Sequence, residues 1–354
     1  MYGLSVFLGE ELTDETQTYI ETMSRLGIKG IFTSLHIPEE DSKRYAQRLT
    51  KLGELAKKNE MKLMVDISGE ALKRAGFSFD RLEDILAIGV TGLRMDYAIS
   101  NQEIAQASQM IDIGLNASTI TAEDVAELKN DGADFSRFEA WHNYYPRPET
   151  GLSSQFFERK NQWLKEAGFK VLAFVPGDKN LRGPLQQGLP TLEKHRYEHP
   201  VSALIELKTS FSVDGVYIGD PQLSDRTIRQ LALYLDQNVL ALEVVDIGSR
   251  YYSHILGEHV NRQDAARDVI RSAEARFKRI DKISPETAMN RTLGSVTIDN
   301  SKYGRYMGEI QVTKKELPKD EKINVAAQII AEDRSLVKCI QAGTKFKLIR
   351  KGTL

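Results

Sequence analysis

The sequence is poor in cysteine: Cys339 is the only one in 354 residues. That excludes an intramolecular disulfide and a zinc site built on cysteines. A surplus of charge of either sign is also missing. Lys and Arg number 48 against 50 Asp and Glu, which leaves a net charge of −2 and an isoelectric point near 6.4. No electrostatic argument therefore favours nucleic acid or an anionic membrane as partner. No apolar run is long enough for a membrane span. The start, Met1-Tyr2-Gly3-Leu4-Ser5-Val6-Phe7-Leu8, lacks a basic flank and runs into Glu10-Glu11. A signal peptide is not expected there, and the expected compartment is the reducing cytoplasm. The nucleotide fingerprints Gly-x-Gly-x-x-Gly and Gly-x-x-x-x-Gly-Lys-Ser/Thr do not occur. Neither His36 nor His142 belongs to a metal-ligand spacing, so neither metal nor cofactor is expected.

What is present is ordinary globular material, 41% hydrophobic and 28% charged. It suffices for one large domain and one smaller one. Runs rich in apolar residues read as strands at 3–8, 29–35, 62–67, 92–97, 111–117, 134–140, 170–175 and 214–218. Between them lie amphipathic stretches with capping signals such as Thr13-Asp14-Glu15 and Thr121-Ala122-Glu123-Asp124. A single helical stretch is expected between 70 and 88, and the last barrel helix at 224–236. Gly27, Gly89, Gly132, Gly168 and Gly215 precede strands and fit helix-ending positions. Strands alternating with helices imply a parallel sheet. Eight such units predict an α/β fold, a (β/α)₈ barrel over residues 1–236. Beyond 237 the rhythm changes to alternating β patterns at 239–245, 294–298, 306–313, 323–330 and 345–349, with a charged helix expected at 263–280. Residues 237–354 therefore predict a small, mainly-β barrel.

Two loops stand out. The first, Trp141-His142-Asn143-Tyr144-Tyr145-Pro146-Arg147-Pro148-Glu149-Thr150-Gly151-Leu152, packs polar and aromatic side chains between two prolines and a glycine. The second runs from Pro176 to Arg196 and is far longer than most such connections. Such loops carry function more often than plain connectors do. Arg147, Arg182 and Arg196 lie on them and suit bidentate binding of an anion.

In a (β/α)₈ barrel the site lies at the carboxyl ends of the strands. The polar residues there are Glu10, His36, Asp66, Arg94, Asp96, Asn116, Glu139, His142, Asn143 and Asp220. Period-two alternation places Met64, Asp66 and Ser68 on one face, and Arg94 and Asp96 on another, facing the mouth. Leu93, Met95 and Tyr97 then face the helices. Glycosidases need two carboxyl groups about one bond. Asp96 and Asp66 are the leading pair, with Glu10 and Asp220 next. His36, Arg94, Asn116, Glu139, His142, Asn143 and Tyr145 are expected to bind substrate. An Arg94 bridge to Asp66 or Asp96 that fixes strand register is the structural alternative. Trp141, Tyr144 and Tyr145 either cover a sugar face or pack.

Read together, residues 3–8, Phe32-Thr33-Ser34-Leu35-His36-Ile37-Pro38-Glu39-Glu40, Leu93-Arg94-Met95-Asp96-Tyr97, residues 142–152 and residues 182–193 carry a likeness. The sequence resembles the bacterial 6-phospho-N-acetylmuramidase family, long labelled "outer surface protein", over essentially its whole length. The resemblance implies a (β/α)₈ barrel followed by a cyclophilin-like domain. It also implies cytoplasmic hydrolysis of N-acetylmuramic acid 6-phosphate–N-acetylglucosamine during peptidoglycan recycling. The implied partner is that phosphorylated disaccharide, with a homodimer compatible with it. Two rival readings are a non-catalytic phospho-sugar-binding or regulatory protein and a pyridoxal-phosphate racemase. The racemase reading needs a Schiff-base lysine, and the first strand has none.

Overall fold

The computed structural model describes residues 1–35, 42–275 and 282–354, without the side chains of 42, 43 and 69–71. Contacts divide the chain into two compact units, Met1–Ser224 and Asp225–Leu354.

The first unit is a closed parallel barrel of eight strands in sequence order. They are β1 (Tyr2–Ser5), β2 (Gly30–Ser34), β3 (Lys62–Ile67), β4 (Gly92–Met95), β5 (Asp112–Asn116), β6 (Phe138–Trp141), β7 (Lys170–Val175) and β8 (Gly215–Ile218). Intervening helices start where the sequence supplies caps. Thr13 accepts from Thr16 N, and Ser100 with Glu103 and Thr121 with Asp124 close reciprocal capping boxes. Four of the five helix-ending glycines, Gly27, Gly89, Gly132 and Gly168, hold positive φ. Gly215 does not. It opens β8, where a Cβ would lie 2.8 Å from the Leu172 side chain.

Alternation along the strands fills the barrel. Phe32, Met64, Trp141, Leu172, Phe174 and Tyr217 form a buried plug. Phe32 stacks on Trp141 at 5.5 Å between centroids, and Trp141 meets Tyr217 at 4.6 Å. Gly3 and Gly30 leave the space that the Tyr217 ring occupies: a Cβ on either would sit 2.0 Å from it. Below the plug lies a polar layer at the strand starts, with Lys62 on Asp112 at 2.8 Å and Trp141 Nε1 donating to Glu139. The plug is the floor of the mouth above.

Several elements differ from the sequence expectation. β1 ends at Ser5, and β6 starts only at Phe138 after a 3₁₀ turn at Phe135–Arg137. The stretch 70–88 is broken at Gly76, whose φ of +82° ends one short helix before the next begins. The helix Asp225–Gln237 groups with the second unit, where it packs on β9.

The second unit is a mainly-β, nearly closed barrel. Its seven-stranded sheet has the order β10-β15-β9-β14-β12-β13-β11. The strands are β9 (Val239–Asp246), β10 (Gly257–Val260), β11 (Val269–Arg271), β12 (Ser295–Asp299), β13 (Ile310–Thr313), β14 (Ile323–Ile329) and β15 (Lys345–Arg350). The charged helix expected at 263–280 is not formed over its described part. Ile270 is fully buried and pairs with Val312 across β11 and β13, while Arg262 and Arg267 find partners in Asp264 and Asp268. Tertiary pairing overrides the local charge pattern. The remaining residues of that stretch, 276–280, lie outside the described residues.

Candidate active site

The alternation that packs the plug also aims the next residues upward. Asp66 lies two beyond Met64, Asn143 two beyond Trp141, and Ser34 two beyond Phe32. Register places Asp66 beside Arg94, and Arg94 beside Gly114. Gly114 leaves that space to Arg94, whose Cβ would lie 3.2 Å from any Cβ there.

Arg94 is the hub, buried to 3% exposure. Its Nη1 donates to Asp66 Oδ1 at 2.6 Å and stands 3.9 Å from Asp96 Oδ1. Nη2 donates to Asn143 Oδ1. Ser34 Oγ donates to Asp66 Oδ2 at 3.2 Å. The Arg94 Nε is buried and has no protein partner among the described residues. Both Asp66 oxygens are thus engaged by donors. Asp96 is the more open of the two acids, with 26% of its side chain exposed against 9% for Asp66. Asn116 stands at the end of β5, where its Oδ1 accepts from Ser118 N at 3.0 Å.

A cavity of about 570 Å³ opens over the β1 side of the mouth. Ser5, Phe7, Glu10, Ser34, Tyr45, Asn180 and Arg182 are among the residues lining it. Arg182 lies over the Phe7 ring, 4.0 Å from its centroid, and donates to Tyr144 Oη at 2.7 Å. Tyr144 in turn packs on Phe32 and Phe174 at the top of the plug. The cavity is therefore cationic at one wall and polar at its floor, while Glu10 is exposed at its edge.

Some expected site residues stand elsewhere. His142 follows an inward Trp141 and so points outward. It is fully buried, bonds Asn161 Oδ1 through Nε2 at 2.7 Å and packs on Phe157. Burial pulls its pKa down to about 4. Glu139 is at the opposite end of the barrel, because β6 starts one residue before it. There its neighbours are Lys62, Asp112 and Lys170, and burial pushes its carboxyl upward. Trp141 is plug, not platform.

Asp220 is a loop anchor. It is 1% exposed and accepts from the backbone N–H groups of Gly177, Arg182 and Leu189. Arg196 is fully committed to the protein, as its contacts with Glu193 and four backbone carbonyls show. Tyr97 does not face the helices; it is 59% exposed. Tyr145 is half-buried and Arg147 exposed, both on the first long loop. His36 lies outside the described residues.

Sequence reasoning missed Ser5, Ser34 and Phe7 at the mouth. Period two from Gly30 through Phe32 to Ser34 held the signal for Ser34. The histidine pair four apart, His195 and His199, was also passed over. His195, Glu198 and Glu206 bring ligand atoms within 4.8 Å of one another. Glu206 is paired there with His195 Nε2 and Lys194 Nζ. His199 caps the next helix by accepting from Val201 N.

Residues 2–233 match the family model described as 6-phospho-N-acetylmuramidase, N-terminal, and residues 239–349 match the one described as 6-phospho-N-acetylmuramidase, C-terminal. Among solved structures, a conserved protein of unknown function from Enterococcus faecalis is 58% identical. The alignment covers 100% of this chain and 97% of that one, with a TM-score of 0.94. An uncharacterized protein of B. cereus is 27% identical over 99% of both chains, with a TM-score of 0.73. No curated protein matches the chain.

Proposed function

Because the chain belongs to the 6-phospho-N-acetylmuramidase family and is a glycosidase, we propose that it hydrolyses N-acetylmuramic acid 6-phosphate–N-acetylglucosamine in the cytoplasm, during peptidoglycan recycling. Its second unit is, on the same reading, cyclophilin-like. The observation that carries the assignment of the site is the Asp66–Arg94–Asp96 group directly above the plug.

Hydrolysis breaks the bond between the anomeric carbon and the leaving oxygen. The leaving oxygen takes a proton from a carboxyl group, and water supplies hydroxide to the carbon and returns its other proton to that same group. Asp96 is the acid for that proton, since it is the carboxyl open to the mouth. Asp66, held on Arg94 and Ser34, faces the positive charge that develops at the anomeric carbon. Asn116, Asn143 and the Ser5 and Ser34 hydroxyls offer neutral hydrogen bonds to the sugars. The substrate also carries a phosphate and a lactyl carboxylate, and Arg182, with Arg147, meets the phosphate. Glu10 borders the same opening.

The test is incubation with the phosphorylated and the unphosphorylated disaccharide. Release of N-acetylglucosamine from the first, and much less from the second, is the expected result. Binding without release would support the non-catalytic phospho-sugar protein instead.

A further inference from the structure

The two long mouth loops meet through backbone bonds, Tyr145 N to Pro190 O at 3.0 Å and Leu152 N to Thr191 O at 2.9 Å among them, and through a Glu193–Arg196 ion pair on the second loop that reaches the first. Arg196 donates from Nε and Nη2 to the two Glu193 oxygens, each at 2.6 Å. Its remaining donors reach carbonyls on both loops. Tyr145 O lies at 2.8 Å and Arg147 O at 3.1 Å on the first, with Gly188 O at 3.0 Å and Gln187 O at 3.4 Å on the second. Glu193 accepts in return from Glu149 N at 2.9 Å and Gly151 N at 2.8 Å. A guanidinium has five N–H donors, and here all are engaged by protein. Arg196 has none left for a substrate anion.

The pair also holds backbone that would otherwise relax. Glu149 has φ of +72° and Gln186 +51°, conformations that side-chain-bearing residues rarely keep without support. A Cβ on Gly151 would lie 2.6 Å from Glu193 Oε2. The Arg196 guanidinium, first among the causes, holds the Glu193 carboxyl down at about 2. The pair therefore stays ionised at any pH near neutral. One joined loop carries Tyr144 and Arg147; the other carries Arg182.

We propose that Glu193 and Arg196 are positioning residues for phosphate selection: they fix the distance between Arg147 and Tyr144 on one loop and Arg182 on the other. This rests on the reading of Arg182 and Arg147 as the phosphate grip. Without the pair, the segment 147–151 loses its anchors and Arg147 its fixed place, so the phosphate loses its fit, while the Tyr145–Pro190 and Leu152–Thr191 bonds still hold the loops together and Asp66 and Asp96 keep their places.

The experiment compares KM and kcat of Arg196→Ala, Glu193→Gln and Arg182→Ala on the phosphorylated and unphosphorylated disaccharides. Arg196→Ala is expected to raise KM for the phosphorylated substrate about tenfold or more, the loss of roughly one charged hydrogen bond. KM for the unphosphorylated one should stay within about twofold, and kcat should change less than KM in both. Added guanidinium should restore part of the phosphate preference. Glu193→Gln, which keeps shape and loses charge, should move the same way. Equal loss on both substrates, or an unchanged preference in both variants, overturns the proposal. If Arg182→Ala abolishes the preference while the Arg196 and Glu193 variants keep it, the positioning role is wrong and the grip stands. If Arg182→Ala keeps the preference, the grip itself is wrong, and the proposal falls with it.

Discussion

Arg94 Nη1 donates to Asp66 Oδ1 at 2.6 Å, with both side chains nearly sealed from solvent. The contact spans adjacent strands, β3 and β4, at matched register positions. It is both a structural bridge and the base of the proposed site. Removing Arg94 leaves a buried carboxylate without its cation. Arg94→Ala should therefore cost about 3–5 kcal/mol of unfolding free energy, read by urea denaturation. A loss under about 1 kcal/mol would mean that water replaces the arginine freely.

Asp220 gathers three backbone N–H groups of the second long loop. Asp220→Ala strands them, at about 1–3 kcal/mol for each that stays buried. The expected outcome is faster proteolysis within residues 177–189 and a lower Tm. The acid limb of the pH–rate profile should keep its position. A profile that loses that limb would restore Asp220 as a reacting group.

Asp299 reports on the second unit. Burial first, and then the neighbouring Glu309 charge, push its carboxyl from 3.8 up to about 7. The folded state thus keeps a proton that the unfolded state releases. Stability should fall as pH rises between those two values and level off above. Asp299→Asn should flatten that slope and raise Tm at pH 8. An unchanged Tm profile would show that Asp299 is solvated in solution.

His142 gives the opposite sign. Burial lowers its pKa from 6.5 to about 4, so the unfolded chain binds a proton that the folded one refuses. Stability should drop as pH falls through that interval and stay low below it. His142→Gln should remove this part of the acid slope, as thermal melts from pH 7 to pH 4 would show.

Strand order and barrel closure were legible because period-two alternation and capping residues are local signals. The same alternation put Asp66 and Arg94 on inward faces. It failed two residues past the end of β4, at Tyr97, where the chain has left the sheet and parity loses meaning, whereas His142, one past β6, keeps the parity and points outward. Glu139 was misplaced because a 3₁₀ turn at Phe135–Arg137 takes up the start of the expected strand. That moved the residue to the barrel floor. Asp220 and Arg196 looked like site groups because their types suit ligands. Their partners are backbone amides and carbonyls of distant loops, which no single-residue signal announces. In the second unit, β11 was hidden beneath a helical charge pattern that pairing with β13 overrode.

Catalysis is assigned to the carboxylates about Arg94, with Asp96 as the acid. The most direct test is turnover of the phosphorylated disaccharide by Asp96→Asn, measured beside product binding and Tm. The expected result is a fall in kcat of about 10²–10⁴-fold, with product affinity and Tm close to those of the unaltered protein. Turnover within a few-fold of normal would take the acid away from Asp96.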